Sequence, residues 1–205
     1  MGKRASGALS VRLVHEAARI VCEDGLSDYR LAKQKAAERL GLGWGAPMPS
    51  NADLQEAVLQ YQRIFGGRAY AERLALMRRT AVQAMRLLKD FTPRLVGAVA
   101  SGATTDGHAV QLHCFADKPE MIDLLLDSKG IAFEVSDRRY RYGDGQVQDV
   151  PVLSFDAAHI GVSVAVFPER DQRRAPLSPV DGAPVKRLDL AGAEALASES
   201  PETFG

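Results

Sequence analysis

The polar side chains best suited to chemistry in this chain lie in one short segment between two apolar runs. Residues 94–100 and 109–115 have the composition of strands, which predicts two strands joined by a glycine-containing turn. The turn and its flanks supply hydroxyl, carboxylate and imidazole groups, and the candidate ligand-binding residues are Ser101, Gly102, Thr104, Thr105, Asp106, His108 and His113. We therefore predict that this turn binds a ligand through hydrogen bonds.

The same segment gives no catalytic assignment. A serine nucleophile can be assembled from Ser101, His113 and Asp117, but the Gly-x-Ser-x-Gly turn that exposes such a serine is missing. His108 lies in the turn and His113 in the strand, so their spacing fixes no metal geometry. Asp117 lies where a helix begins, which is typical of an N-cap. No residue is therefore predicted to bind a metal, and the catalytic residues stay unassigned.

A resemblance to a known fold rests on two stretches, residues 96–105 (VGAVASGATT) and 108–112 (HAVQL). Together they resemble the opening of the nucleotidyltransferase fold. In that superfamily a strand ends in a Gly-Ser turn beside a helix, and the next strand carries two aspartates separated by one residue. With a third carboxylate on a later strand they hold two magnesium ions, which activate the attacking hydroxyl and neutralise the triphosphate. The resemblance covers roughly residues 80–167.

At the positions that this resemblance assigns to metal ligands, the chain has no carboxylates. The paired aspartates fall on Ala109 and Gln111, and the third carboxylate falls on Ser163 or Ala165. Alternate residues of a strand share one face, so a carboxylate pair at this spacing could hold one metal ion. Alanine and glutamine cannot supply the anionic oxygens that magnesium prefers. The resemblance thus implies the fold without two-metal catalysis, and no cofactor.

The chain as a whole also resembles small uncharacterised bacterial proteins, some of them described as nucleotidyltransferase-like. The shared residues are the DYRLAK stretch at 28–33 and the strand and turn at 95–102. The first functional hypothesis is a non-catalytic module of this fold that binds a nucleotide, an RNA or a protein partner. The second is an active nucleotidyltransferase with relocated carboxylates, in which Asp106 and Asp117 would hold magnesium.

Two arginine clusters offer a further contact for an anionic ligand. Arg138, Arg139 and Arg141 alternate with tyrosines in a predicted strand, and Arg170 and Arg173 follow the last predicted strand. Guanidinium groups suit phosphates and tyrosine rings suit bases, so the clusters could grip a nucleotide if they meet across the sheet edge. The alternative is a charged edge strand that resists aggregation.

Helical periodicity dominates residues 1–90, and strand patterns begin after Pro93. The predicted helices end near Gly25, at Leu40, at the Gly66-Gly67 pair, at Lys89 and at Ala197, with another beginning at Pro119. The predicted strands are residues 94–100, 109–115, 131–142, 147–155 and 160–167. This order predicts an α+β protein: a helical region over residues 1–90, then a nucleotidyltransferase-like domain over residues 91–205 with a mixed or antiparallel sheet and flanking helices.

The charges are unevenly divided between these regions. Residues 1–90 contain 15 Lys and Arg against 9 Asp and Glu, giving +6, and residues 91–205 contain 11 against 17, giving −6. A third hypothesis is therefore a DNA- or protein-interaction module that uses basic helical residues such as Arg30 and Lys33. Solvated helix faces are the simpler interpretation.

Composition limits the cellular setting. No run approaches the roughly 18 apolar residues of a membrane span, so no membrane association is expected. Cys22 and Cys114 fall in segments with buried patterns, which favours free thiols in the cytoplasm. The sequence does not predict an oligomeric state.

Overall fold

The computed structural model describes residues 2–43 and 47–199, with side chains described from Leu9 onward. Three helices come first: α1 (Gly2–Glu23), α2 (Tyr29–Arg39) and α3 (Asn51–Tyr61). Asp28 caps α2 by accepting the backbone N–H of Arg30 at 2.8 Å, and Ser50 caps α3 through the N–H of Asp53. The predicted helix from Tyr29 is confirmed, and its end lies within one residue of the prediction.

The next helix is continuous with α3 through a turn of π-helix, Gln62–Gly66, and α4 spans Gly67–Leu87. At the predicted break, the chain forms a π-helical turn that ends at Gly66. Gly67 follows with a left-handed φ of 55° and begins α4. α4 ends at Leu87, two residues before the end that the sequence predicts for this helix.

The first strand is shorter than the sequence predicts. β1 covers only Arg94–Val96, and a five-residue helix, α5 (Gly97–Ser101), replaces the rest of the predicted strand. Gly97 has φ 73° and Gly102 has φ 88°, so glycines bound this helix at both ends. The prediction of a strand over residues 94–100 is wrong from Gly97 onward, because the left-handed backbone there cannot continue a strand.

The remaining strands were predicted correctly in place and order. They are β2 (Val110–Phe115), β3 (Glu134–Arg141), β4 (Val147–Ala157) and β5 (Ile160–Phe167), and α6 (Glu120–Ser128) lies between β2 and β3. The sheet order is β1-β2-β5-β4-β3, with β2 and β5 parallel and the other neighbours antiparallel. A 3₁₀ turn, Glu169–Arg173, and α7 (Leu190–Ser198) follow. The predicted α+β class with a mixed sheet is confirmed.

Helices cover one face of the sheet, and the other face, which we call the open face, is buried only at the end that contains Phe115 and Phe167. Apolar residues of β2, β4 and β5 pack against α4, α6 and α7, and this cluster includes Met77, Met85, Leu112, Ile122 and Val164. The last turns of α4 therefore share the core of the sheet, although they belong to the helical half of the sequence. A separate cluster of mostly small residues joins α1, α2 and α3.

The turn between α5 and β2 connects the two clusters. Ala103 is 1% exposed and packs with the residues of α1–α3. Tyr70 donates to the Gly102 carbonyl at 2.6 Å, and Gln62 donates to the Thr104 carbonyl at 3.0 Å. The N–H of Gly107 donates to the Gly25 carbonyl at 3.1 Å. We refer to residues 102–108 as the docking turn.

A methyl group at Gly107 should separate the docking turn from the helices. A Cβ there would overlap the Gly25 carbonyl oxygen, so Gly107→Ala should lower the free energy of unfolding by about 1–3 kcal/mol. Gly143→Ala is the matched control, because no atom lies within 4 Å of its added Cβ. Equal urea midpoints for the two variants would contradict this account of the turn.

Candidate ligand-binding site on the open sheet face

Polar side chains form a row across the open face of the sheet. Gln111 pairs with Ser163, Ser163 with Ser154, and Ser154 with Glu134. Paired residues point to the same side of a sheet, and four strands at this spacing extend about 14 Å. The first three residues are half-buried and Glu134 is exposed. We call Gln111, Ser163, Ser154 and Glu134 the polar row.

The polar row begins beside the turn that carries the fold resemblance. The Gln111 amide lies against Gly97, so that a Cβ on Gly97 would overlap its Oε1 atom. Glycine is therefore required at this position both for its φ of 73° and for the close approach of Gln111.

Of the four positions singled out by the sequence resemblance, Gln111, Ser163 and Ala165 lie on two neighbouring strands, and Ala109 directly precedes β2. A Cβ placed on Gly161 would lie 3.4 Å from the Ala109 Cβ and 3.9 Å from Asp156 Oδ1. Gln111 pairs directly with Ser163, and Ala165 pairs with His113. Of the two candidates for the third position, Ser163 is the one beside Gln111. Within residues 2–43 and 47–199, no three His, Cys, Asp or Glu residues converge as a metal site.

Several polar side chains of the docking turn are already paired, either with each other or with residues of the helical region. The Thr105 hydroxyl lies 3.3 Å from the Leu26 carbonyl and 2.9 Å from His108 Nδ1. Asp106 forms an ion pair with Arg73 at 2.9 Å. Burial, and then the charge of Arg73, lowers the pKa of His108 below its usual value, which favours a neutral ring. These contacts fix the turn in place.

The other three residues predicted at this turn are Ser101, which precedes it, and Gly102 and Thr104, which lie in its first half. Ser101 is exposed, and its hydroxyl donates to the Ala98 carbonyl at 3.2 Å while accepting the Ala103 N–H at 3.3 Å. Gly102 is buried. Thr104 is also buried, and its hydroxyl has no hydrogen-bond partner.

His113 lies away from the docking turn, at the opposite end of β2. Its ring contacts Phe167 and Tyr140, with centroid distances of 4.6 Å and 5.6 Å. Arg187 Nε donates to His113 Nδ1 at 3.2 Å. Burial, followed by the charges of Arg187 and Arg138, lowers the pKa of His113 to about 3. A histidine in this setting is neutral at physiological pH and is closed off from a ligand at the docking turn.

Arg187 closes this end of the open face, and no sequence pattern singles it out. Its guanidinium lies 4.9 Å above the Phe115 ring centroid and donates to the carbonyls of Asp171, Gln172 and Arg174 at 3.1–3.3 Å. Burial lowers the pKa of Arg187 from its usual value. An arginine inside a Pro-rich loop carries no periodic signal, so only the tertiary contacts identify it.

The first arginine cluster does not act as a unit. Strand alternation places Arg138 on the open face and Arg139 and Arg141 on the opposite side, and Arg139 pairs with Asp149 at 2.9 Å. The three arginines therefore do not share one face of the sheet.

The second cluster lies at the same end of the sheet as the first. Arg170 and Arg173 are exposed there. The neighbouring Arg174 stacks on Tyr142, with its guanidinium carbon 3.8 Å from the ring centroid, and it forms an ion pair with Asp144. Tyr142 is buried under this arginine, so its ring is not free for a base.

The relocated carboxylate pair is also ruled out by position. Asp106 precedes β2 and Asp117 follows it, and a six-residue strand separates its ends by about 17 Å. Asp117 accepts the Glu169 N–H at 3.1 Å and does not cap α6, so the N-cap prediction is wrong as well. These two aspartates cannot share a metal ion.

Comparison with known proteins gives no assignment. No family model matches the chain. No curated protein matches it either. Among the helices that the structure describes, none combines the length and apolarity needed to cross a bilayer.

The low pKa of His113 predicts a pH dependence of stability. Its folded pKa is about 3 and its unfolded pKa is about 6.5, so the unfolded state binds the proton more readily. The stabilisation is complete above pH 6.5 and falls as the pH drops towards 3, by up to about 1.4 kcal/mol per pH unit. His113→Gln keeps an acceptor for Arg187 and should lose this slope between pH 6.5 and 5.

The matched control is His15→Gln, since His15 is exposed on α1. It should keep the wild-type slope in urea unfolding at each pH. A wild-type slope in His113→Gln would contradict the assignment.

Aspartates at positions 109, 111 and 163 should create a metal site if these three positions are neighbours on the open face. Ala109→Asp, Gln111→Asp and Ser163→Asp together should lower Tm through charge repulsion, and Mn²⁺ should reverse the loss. Saturation at 100 times Kd would contribute about 2.7 kcal/mol. In the control, Ser128→Asp on α6 replaces Ser163→Asp. If Mn²⁺ raised both Tm values equally, the three positions would not form one site.

Proposed function

We propose that this protein is a non-catalytic module of the nucleotidyltransferase type that binds a nucleotide on the open face of its sheet. The observation that carries the proposal is the direct pairing of Gln111 with Ser163 beside Gly97. In the fold that the sequence resembles, the corresponding positions hold the metal carboxylates. Here they present an amide and a hydroxyl, which can hydrogen-bond a base, a sugar or a phosphate without a metal ion.

The surroundings of the polar row suit the parts of a nucleotide. Arg94 and Arg138 lie on the same face, on the two outer strands, and pair with His113 and Val150 towards the closed end. Their guanidinium groups can contact the phosphates of a nucleotide that extends from the polar row in that direction. Glu134 is exposed at the far end of the row, and its carboxylate can accept hydrogen bonds from ribose hydroxyls. Both described thiols, Cys22 and Cys114, are free, which supports the cytoplasm as the compartment.

The interaction-module hypothesis is less well supported by the basic helix. Of its two named cations, Lys33 is engaged within the protein: its Nζ donates to the Pro49 carbonyl at 3.0 Å and to Asn51 Oδ1 at 2.8 Å. This lysine holds α2 to the start of α3. Gln34 bonds Glu38 along the helix surface at 3.4 Å. Arg30 alone would neutralise too few phosphates to bind DNA strongly.

Direct binding measurements test the proposal. ATP, GTP, CTP and UTP are titrated by calorimetry with and without Mg²⁺, and at least one should bind with similar affinity in both conditions. The double variant Gln111→Ala/Ser163→Ala should weaken binding by about tenfold, the loss of two neutral hydrogen bonds. The control Gln83→Ala/Ser128→Ala changes the same residue types away from the open face and should bind normally.

Two results would overturn the proposal. One is the absence of binding for all four nucleotides. The other is magnesium-dependent transfer of label from a triphosphate that is abolished by Asp156→Asn, since Asp156 is the carboxylate beside Ala109. That second result would establish an active nucleotidyltransferase instead.

A further inference from the structure

A groove of about 300 Å³ lies on the helical side of the docking turn, and the open sheet face does not include it. It runs between α1, the π-helical turn and α4. The residues that matter for its chemistry are Cys22, Tyr61, Phe65, Arg73, Thr104 and Asp106. Its volume is at the lower limit for small-molecule pockets.

The π-helical turn places a solvent-exposed aromatic ring at this groove. Phe65 is 67% exposed, and its ring lies 4.8 Å from the Tyr61 ring at an interplanar angle of 45°. Isolated π turns are rare in helices and are found often at functional sites. The two rings form an apolar corner that a flat molecule can cover.

Thr104 supplies an unpaired polar group to the same groove. Its side chain is 1% exposed and its hydroxyl has no hydrogen-bond partner, although Gln62 engages its carbonyl. A buried hydroxyl without a partner is destabilising. A ligand atom that bonds this hydroxyl would remove that cost.

The charges in the groove disfavour a phosphate. Arg73 is paired with Asp106 at 2.9 Å, and Glu23 accepts a hydrogen bond from Tyr61 at 2.8 Å. Burial raises the pKa of Cys22 to about 12, so this thiol is neutral. The groove therefore offers aromatic faces and neutral hydrogen-bonding groups, with its arginine already neutralised.

We propose that this groove binds a small uncharged planar heterocycle, which stacks on Tyr61 and Phe65 and hydrogen-bonds the Thr104 hydroxyl. The site is independent of nucleotide binding at the polar row. It lies against the docking turn, so its occupant contacts Thr104 and Thr105 from the helical side.

The test uses adenine, cytosine, indole and benzamide as separate probes in NMR titrations of the full chain. At least one should bind saturably with a Kd on the order of 0.1–1 mM, the range for rings of this size. Phe65→Ala should weaken that binding about tenfold, because a stacking face is lost. Ile64→Ala is the control: Ile64 is 71% exposed, adjacent and outside the groove lining, and its removal should leave the affinity unchanged.

A third variant tests the hydroxyl. Thr104→Val should weaken binding about fivefold while its Tm stays equal to or above that of the wild type, because an unpaired hydroxyl is replaced by a methyl group. Absence of saturable binding for all four probes overturns the proposal. Equal affinities of Phe65→Ala and Ile64→Ala, or wild-type affinity in Thr104→Val, overturn it as well.

Discussion

The docking turn between the helices and the sheet is the constraint on which the rest of the structure depends. Its main chain and side chains make hydrogen bonds to Gln62, Tyr70, Leu26 and Gly25. Each neutral bond contributes about 0.5–1.5 kcal/mol, and Ala103 adds apolar burial in the helical cluster. Because the turn is fixed at several points, the strand that leaves it has a fixed direction. That direction brings Gln111 over Gly97 and into register with Ser163.

The open face of the sheet is divided into two environments by the same register. At the end near the docking turn, uncharged polar residues remain accessible. At the other end, Phe115, Phe167 and Tyr140 surround His113, and Arg187 covers them. Removal of Arg187 would leave three carbonyls and an imidazole without their donor, which is more costly than the loss of a surface ion pair. This arginine keeps one end of the face closed and leaves the polar row as the accessible part.

The amide of Gln111 and the hydroxyl of Ser163 also have a structural consequence. Three carboxylates on adjacent strands repel one another unless a cation lies between them. Gln111 and Ser163 can lie side by side without a counter-ion, and the Gln111 amide can approach Gly97 closely. These residue types therefore avoid charge repulsion between the strands, and their side chains are half-buried on the open face.

The sequence by itself determined the elements whose pattern is local. Residue composition and pattern located β2 and β5, and the spacing of Ala109 and Gln111 placed them on one face. Tertiary structure decided what depends on distant partners. The parallel pairing of Gln111 with Ser163 joins residues 52 positions apart, and the docking of Thr105 on Leu26 joins residues 79 apart. The conversion of residues 97–101 to a helix and the burial of Arg187 likewise depend on packing against distant parts of the chain. Local periodicity carries no information about them, because the energies that fix them arise only when the chain is folded.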